Sequence, residues 1–228
     1  PTEGQFTLTV NASSSASSWI ASQSITIGNS SAPLSTVSVS GAISSDTTWS
    51  SGSVYLIDSS FSVASGTTLT IEPGTIIKAK TTALGGPSIY GTLIAIGTAE
   101  EPIYFTSQYD DSVGGDSDGG GESTGEPGQW QGLYFKTGSV GEFDYVTVRY
   151  SGYGGYGWGD FVGIENDGGT LDIKHSNVND NYKIISNGGG GTMASGRGIY
   201  NRKGMLTVSD SVISNNVFGV NIESGTTT

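Results

Sequence analysis

Residues 163–181, GIENDGGTLDIKHSNVNDN, and residues 198–216, GIYNRKGMLTVSDSVISNN, superpose without a gap at an offset of 35. Ile164 falls on Ile199, Asn166 on Asn201, Leu171 on Leu206 and Ile173 on Val208. Ser176 falls on Ser211, Val178 on Ile213 and Asn181 on Asn216. A third copy opens at Gly219-Val220-Asn221-Ile222, 21 residues after Gly198-Ile199-Tyr200-Asn201. The bare unit is therefore 21 residues, and 182–197 reads as an insertion into one unit. A unit this small cannot bury its own apolar face and must stack on its neighbours. Leu171 then lies directly over Leu206 and Val178 over Ile213, and the aligned Asn181 and Asn216 predict a hydrogen-bonded ladder along a corner.

The pattern extends upstream. Phe143 falls on Ile173, Tyr145 on His175 and Val148 on Val178 at an offset of 30. Short apolar pieces separated by turns run back through Ile103 to Thr106, Ile89 to Ile96, with Gly91 as a corner, and Thr68 to Ile71. Glu72-Pro73-Gly74-Thr75 is a turn in which Pro presets φ and Gly supplies the open position. The expectation is an all-β chain, a parallel β-helix (solenoid) of roughly six coils over residues 49–228, with polar insertions at 107–129, 150–161 and 182–197. The expected right hand rests on the crossover rule together with the family resemblance given below. Residues 1–48 are rich in Ser and Thr: a strand from Phe6 to Val10, a linker-like 11–18, then alternating pieces at Ile25/Ile27 and Val37/Val39. They read as an N-terminal leader or cap, or as the end of a preceding domain. The stop within a unit at Thr228 reads as truncation, and the chain as a fragment of a longer protein.

Composition agrees and excludes some classes. The 228 residues include 37 Gly, with 34% hydrophobic and 13% charged residues, a turn-rich β profile. The net charge of −12 leaves no basic stripe to neutralise phosphates, which argues against nucleic acid as a partner. No apolar run is long enough to span a membrane. There is no Cys, so no disulfide can staple the chain.

Several stretches resemble one family. Leu69-Thr70-Ile71-Glu72-Pro73-Gly74-Thr75-Ile76-Ile77-Lys78 is similar to the first-coil signature of bacterial secreted right-handed parallel β-helix proteins of the pectate-lyase-like superfamily, surface or adhesin type. Gly91 to Thr98, Glu101 to Ser107, Trp130-Gln131-Gly132-Leu133 and Val146 to Gly152 continue the likeness, which covers about residues 46–222. The resemblance implies secretion or cell-surface placement. It also directs attention to a Ca²⁺-assisted lyase with an Arg or Lys base, or to a hydrolase with paired carboxylates.

Two loops are candidates for ligand chemistry. Asp110, Asp111, Asp116, Asp118 and Glu122 crowd one Gly-rich segment without Lys or Arg among them. Oxygen ligands at alternate positions of a tight turn suit Ca²⁺, and a merely solvated acidic loop is the other reading. The resembling proteins often have a further Asp where this chain has Gly120. In the second loop Tyr153, Tyr156, Trp158 and Phe161 alternate with glycines. Such rings are either a flat platform for sugar rings or a cover folded back on the coil flank. Catalytic candidates are poor. Arg149, Arg197 and Arg202 are the only arginines, Arg149 reads as a solvent-facing residue after a strand, and no acid pair recurs on one face of successive coils.

The expectation for function is a monomeric, non-catalytic module of a larger secreted or cell-surface protein. It would be a rigid spacer whose loops hold a polysaccharide or a host or neighbouring cell-surface ligand. A fragment of a polysaccharide lyase or glycoside hydrolase is the alternative, and a purely structural stalk is the third.

Overall fold

The computed structural model describes residues 6–14, 17–27, 34–81, 86–153, 161–186 and 192–227. The chain divides into two compact units, Pro1–Pro33 and Leu34–Thr228. In the first, Phe6–Ser14 and Ser17–Ile27 pair antiparallel, with Phe6 opposite Ile27 and Ala12 opposite Ala21. The expected linker at 11–18 is therefore strand over most of its length. Small Ser, Thr and Ala side chains carry no apolar period, yet their backbones pair as well as any.

The second unit is a stack of strands in three parallel ladders, and the described residues contain no helix. The inward spine of the first ladder is Val37, Tyr55, Ile77, Phe105, Val148, Val178 and Ile213, each in register with the next. The second ladder runs through Ile43, Val63, Ile89, Phe135, Asn166, Asn201 and Ile222. The third runs through Thr47, Leu69, Leu93, Gly141, Leu171, Leu206 and Thr227. The repeat equivalences that fall on strands recur as pairings, among them Ile164 with Ile199, Phe143 with Ile173 and Ile199 with Val220.

Among the described residues each ladder holds seven rungs, the six that fit the expectation for residues 49–228 and one before them. The extra coil begins at Ser35–Ile43, which pairs in parallel with Ser53–Val63, so the boundary expected at residue 48 falls at 33/34. That coil was obscured because its apolar side chains are few. Val37 is exposed, and only Val39 and Ile43 pack on the core. The core itself is one cluster running from Trp49 and Phe61 to Ile199 and Leu206. Within it Phe143 packs between Phe105 and Phe135, with centroids 5.9 Å away from each.

Repeated bends turn the chain between ladders. Tyr145, His175 and Asp210 occupy one corner at φ 50°, 43° and 48°, and Tyr150, Asp180 and Asn215 the next at 65°, 58° and 53°. Hydrogen-bond ladders brace both. The Val146 and Ser176 amides donate to Ser176 Oγ and Ser211 Oγ at 3.0 and 3.1 Å. The Ser151 and Asn181 amides donate to Asn181 Oδ1 and Asn216 Oδ1 at 3.1 and 2.9 Å. The predicted Asn ladder exists, built from side chain to backbone rather than amide to amide. A second one, Asn166 Nδ2 to Asn201 Oδ1 at 3.0 Å, stands between the second and third ladders.

Candidate functional site: the loop-bearing corner

The connections leaving the first ladder for the second are the long ones. They run from Ala79 to Ser88, Ser107 to Leu133, Arg149 to Val162 and Asn179 to Arg197 in four consecutive coils. All three expected insertions thus emerge at one corner, side by side along the stack. The last carries its own antiparallel pair, Lys183–Ser186 with Thr192–Ser195. The loops also bond to one another. The Gly128 amide donates to Ser151 O at 2.9 Å, the Tyr153 amide to Trp130 O at 2.8 Å, and Thr81 Oγ1 to Gln129 O at 2.7 Å.

The acidic loop folds back over the outer face of the first ladder. Gly114 lies so close to Val54 and Ile76 that an added Cβ would come 2.7 Å from Val54 Cγ2. Beneath this roof Val54, Leu56, Lys78 and Thr106 are buried, although their alternation directs them away from the interior spine. The loop is thus ordered by apolar cover and by two cations reaching up from the strands.

Those cations divide the carboxylates. Asp110, 1% exposed, takes Arg149 Nε at 2.8 Å and Nη2 at 2.7 Å, with Thr106 Oγ1 and Ser112 Oγ each donating at 2.6 Å. Arg149 also lies over the rings of Tyr104 and Tyr150, 5.3 and 5.2 Å from their centroids. It is the last residue of a strand and 17% exposed, a pinned side chain rather than the solvent-facing one expected. Beside it, burial pushes the Tyr150 phenol above its ordinary range. Asp111 faces Lys78 Nζ at 3.7 Å, and its Oδ2 accepts from the Ser123 amide at 2.6 Å and Ser123 Oγ at 2.9 Å.

Asp116 and Asp118 sit in the exposed turn beyond. Asp116 accepts from the amides of Asp118, Gly119 and Gly121 at 3.1, 2.7 and 2.9 Å, and Asp118 from that of Gly120 at 2.9 Å. The Gly119 and Gly121 donors hold the Asp116 carboxyl below its usual range. Glu122 is exposed. The structure therefore does not bring the five acids together. Among the described residues no group of three or more His, Cys, Asp or Glu comes together to hold a metal ion. Asp110 already has its cation, and backbone donors occupy both oxygens of Asp116. As arranged the five acids do not converge on one point, whereas Ca²⁺ takes six to eight oxygens, carbonyls and water included.

Of the aromatic loop, Tyr156 and Trp158 lie outside the described residues. Phe161 is buried. Tyr153 is half-buried, with Lys183 Nζ 4.2 Å over its ring centroid. The nearby antiparallel pair exposes Ile184 and Met193.

The other arginines are engaged as well. Arg197 and Arg202 both lie over Tyr200, and Arg202 stands 3.8 Å from Glu165 and 3.7 Å from Glu223. His175 bonds Asp144 at 2.8 Å and stacks on Tyr145 at 4.9 Å, on a different corner from the loops. The sequence reading passed over Lys78, Thr106 and Lys183. The one available signal was a Lys and a Thr at positions of the first ladder's outer column, but the loop that covers them is not periodic.

A family model described as a pectate-lyase like beta helix domain matches residues 41–165, more than half of the chain. No curated protein and no solved structure matches it.

Proposed function

The chain belongs to the pectate-lyase-like beta helix domain family, and on that premise we propose that it is a non-catalytic binding module. It serves as a rigid β-helical spacer of a secreted or cell-surface protein and holds an extended carbohydrate along its loop-bearing corner. The observation that carries this reading is the emergence of four long connections at one corner of consecutive coils. Successive rungs of a sheet lie ~4.8 Å apart, so such a row offers contacts along a chain-like ligand rather than a pocket around a small one. Tyr153, Lys183, Ile184 and Met193 give the row an aromatic face, a cation and apolar surface. Binding is favoured over catalysis because the best placed base, Arg149, is spent on Asp110 and Ser112.

The test is polysaccharide affinity electrophoresis together with a glycan array, run on the wild type and on Tyr153→Ala. Retardation without release of reducing ends or unsaturated products, weakened about tenfold in the variant, is expected. Turnover that disappears in Arg149→Ala would replace this reading with a lyase or hydrolase. Neither binding nor turnover would leave a stalk.

A further inference from the structure

We propose that Lys78 and Asp111 condense into an intramolecular amide that welds the acidic loop to the third coil. The two groups face each other at 3.7 Å, with side chains 0% and 9% exposed. Lys78 Nζ is aimed by a single hydrogen bond, 2.6 Å to the carbonyl of Gly115. Asp111 is held asymmetrically. Its Oδ2 accepts from the Ser123 amide and hydroxyl at 2.6 and 2.9 Å, whereas Oδ1, the oxygen next to Nζ, is buried without a hydrogen bond. Two donors converging on one carboxyl oxygen are what an acyl centre needs when a nucleophile adds and charge develops there.

Desolvation drives the step. A buried ammonium and carboxylate have lost their water, and a pair this far apart with an unsatisfied oxygen recovers little of that loss. Burial already pushes the Lys78 amine below its ordinary range, against the pull of Asp111, Asp110 and Asp116. Proton transfer from Nζ to Asp111 Oδ1 gives a neutral amine and a neutral acid. Nζ then adds to Cγ while Ser123 holds Oδ2. The Cγ–Oδ1 bond breaks, and Oδ1 leaves as water carrying two of the three ammonium protons; the third stays on the amide nitrogen. The step consumes one ammonium and one carboxylate, yields one amide and one water, and needs no oxidant, cofactor or second substrate. Asp110 does not compete, because Arg149, Thr106 and Ser112 occupy its oxygens. With no Cys in the sequence, this is a cross-link open to the chain whatever the redox state around it.

Intact-mass spectrometry of the purified, denatured chain reads the bond directly. The expected mass is one water below that of the sequence, and digestion should release one branched peptide joining Lys78 to Asp111, uncut after Lys78 by trypsin. Asp118-Gly119 also loses water when it cyclises to a succinimide, and hydroxylamine separates the two, because it opens the succinimide and leaves the amide intact. Lys78→Arg and Asp111→Ala should restore the full mass. A wild-type chain at full sequence mass overturns the proposal, as does a deficit removed by hydroxylamine or retained in Lys78→Arg. The branched peptide is read on the wild type, so the test stands even if a variant fails to fold.

Discussion

Asn181 donates its backbone N–H to Asn216 Oδ1 at 2.9 Å, and in the same column its own Oδ1 takes the N–H of Ser151 at 3.1 Å. Its Nδ2 meanwhile donates to Val148 O at 3.0 Å, so one fully buried side chain satisfies two backbone groups of the preceding coil. Asn181→Ala leaves the Ser151 N–H without its acceptor away from water and takes one donor from the Val148 C=O. The expected cost is about 1–3 kcal/mol for each group left unsatisfied, read as a fall in denaturant midpoint at unchanged slope. A variant as stable as wild type would mean that water or a backbone shift repairs the corner.

Gly91 shows how closely successive turns approach. A Cβ built on it would lie 2.2 Å from Ala64 O and 2.3 Å from Thr67 O, both backbone atoms that cannot rotate aside. Gly91→Ala should therefore destabilise at or above the upper end of the ~1–3 kcal/mol typical of overpacking. Gly219→Ala is the control, since nothing comes nearer than 3.7 Å to the added carbon. Thermal melts of the two variants should separate clearly. Equal melting temperatures would remove close approach as the reason for Gly91.

These contrasts mark what the sequence could disclose. Leu171 over Leu206 and Val178 over Ile213 were legible because the stack repeats the same inward side chain at each rung. The first coil was not, since Val37, Val39 and Ile43 sit among Ser and Thr at the exposed end of the core. The acidic loop was read from its own residues as unpaired charge. Its cations, Lys78 and Arg149, come from strands distant in sequence, and only the fold shows that the loop turns back over them. Tertiary pairing of this kind leaves no local period to read.

The exposed turn of that loop has its own pH signature. The amides of Gly119 and Gly121 hold the Asp116 carboxyl below the usual value of 3.8. A depressed carboxyl contributes order that is complete above 3.8 and fades as pH falls through the lower folded-state value. Nuclear magnetic resonance should give Asp116 a titration midpoint below 3.8, with the Gly119 and Gly121 amide shifts moving at the same midpoint. In Asp116→Asn the two amides should no longer respond. Amide shifts that ignore the titration would dissolve the turn as a charge-held element.

Arg149 and Asp110 provide the sharpest energetic test of how the loop is pinned. Asp110 is almost fully buried, and its guanidinium partner contacts it through both Nε and Nη2 while lying over two tyrosine rings. Removing the cation alone strands a charge, so Arg149→Met should cost about 3–5 kcal/mol. Arg149→Lys keeps the charge but loses the fork and the flat stacking, and should fall between Met and wild type. The double variant Arg149→Met with Asp110→Asn removes both charges and should recover much of the loss, because of the Thr106 and Ser112 hydroxyls, which bond opposite carboxylate oxygens, one can still donate to the amide oxygen and the other can accept from the amide nitrogen. A double-mutant cycle from denaturant midpoints measures the coupling. Additive losses would show that the loop is held by its apolar contacts on Val54 and Ile76, with the ion pair a passenger. Strong coupling would locate the pin at Arg149.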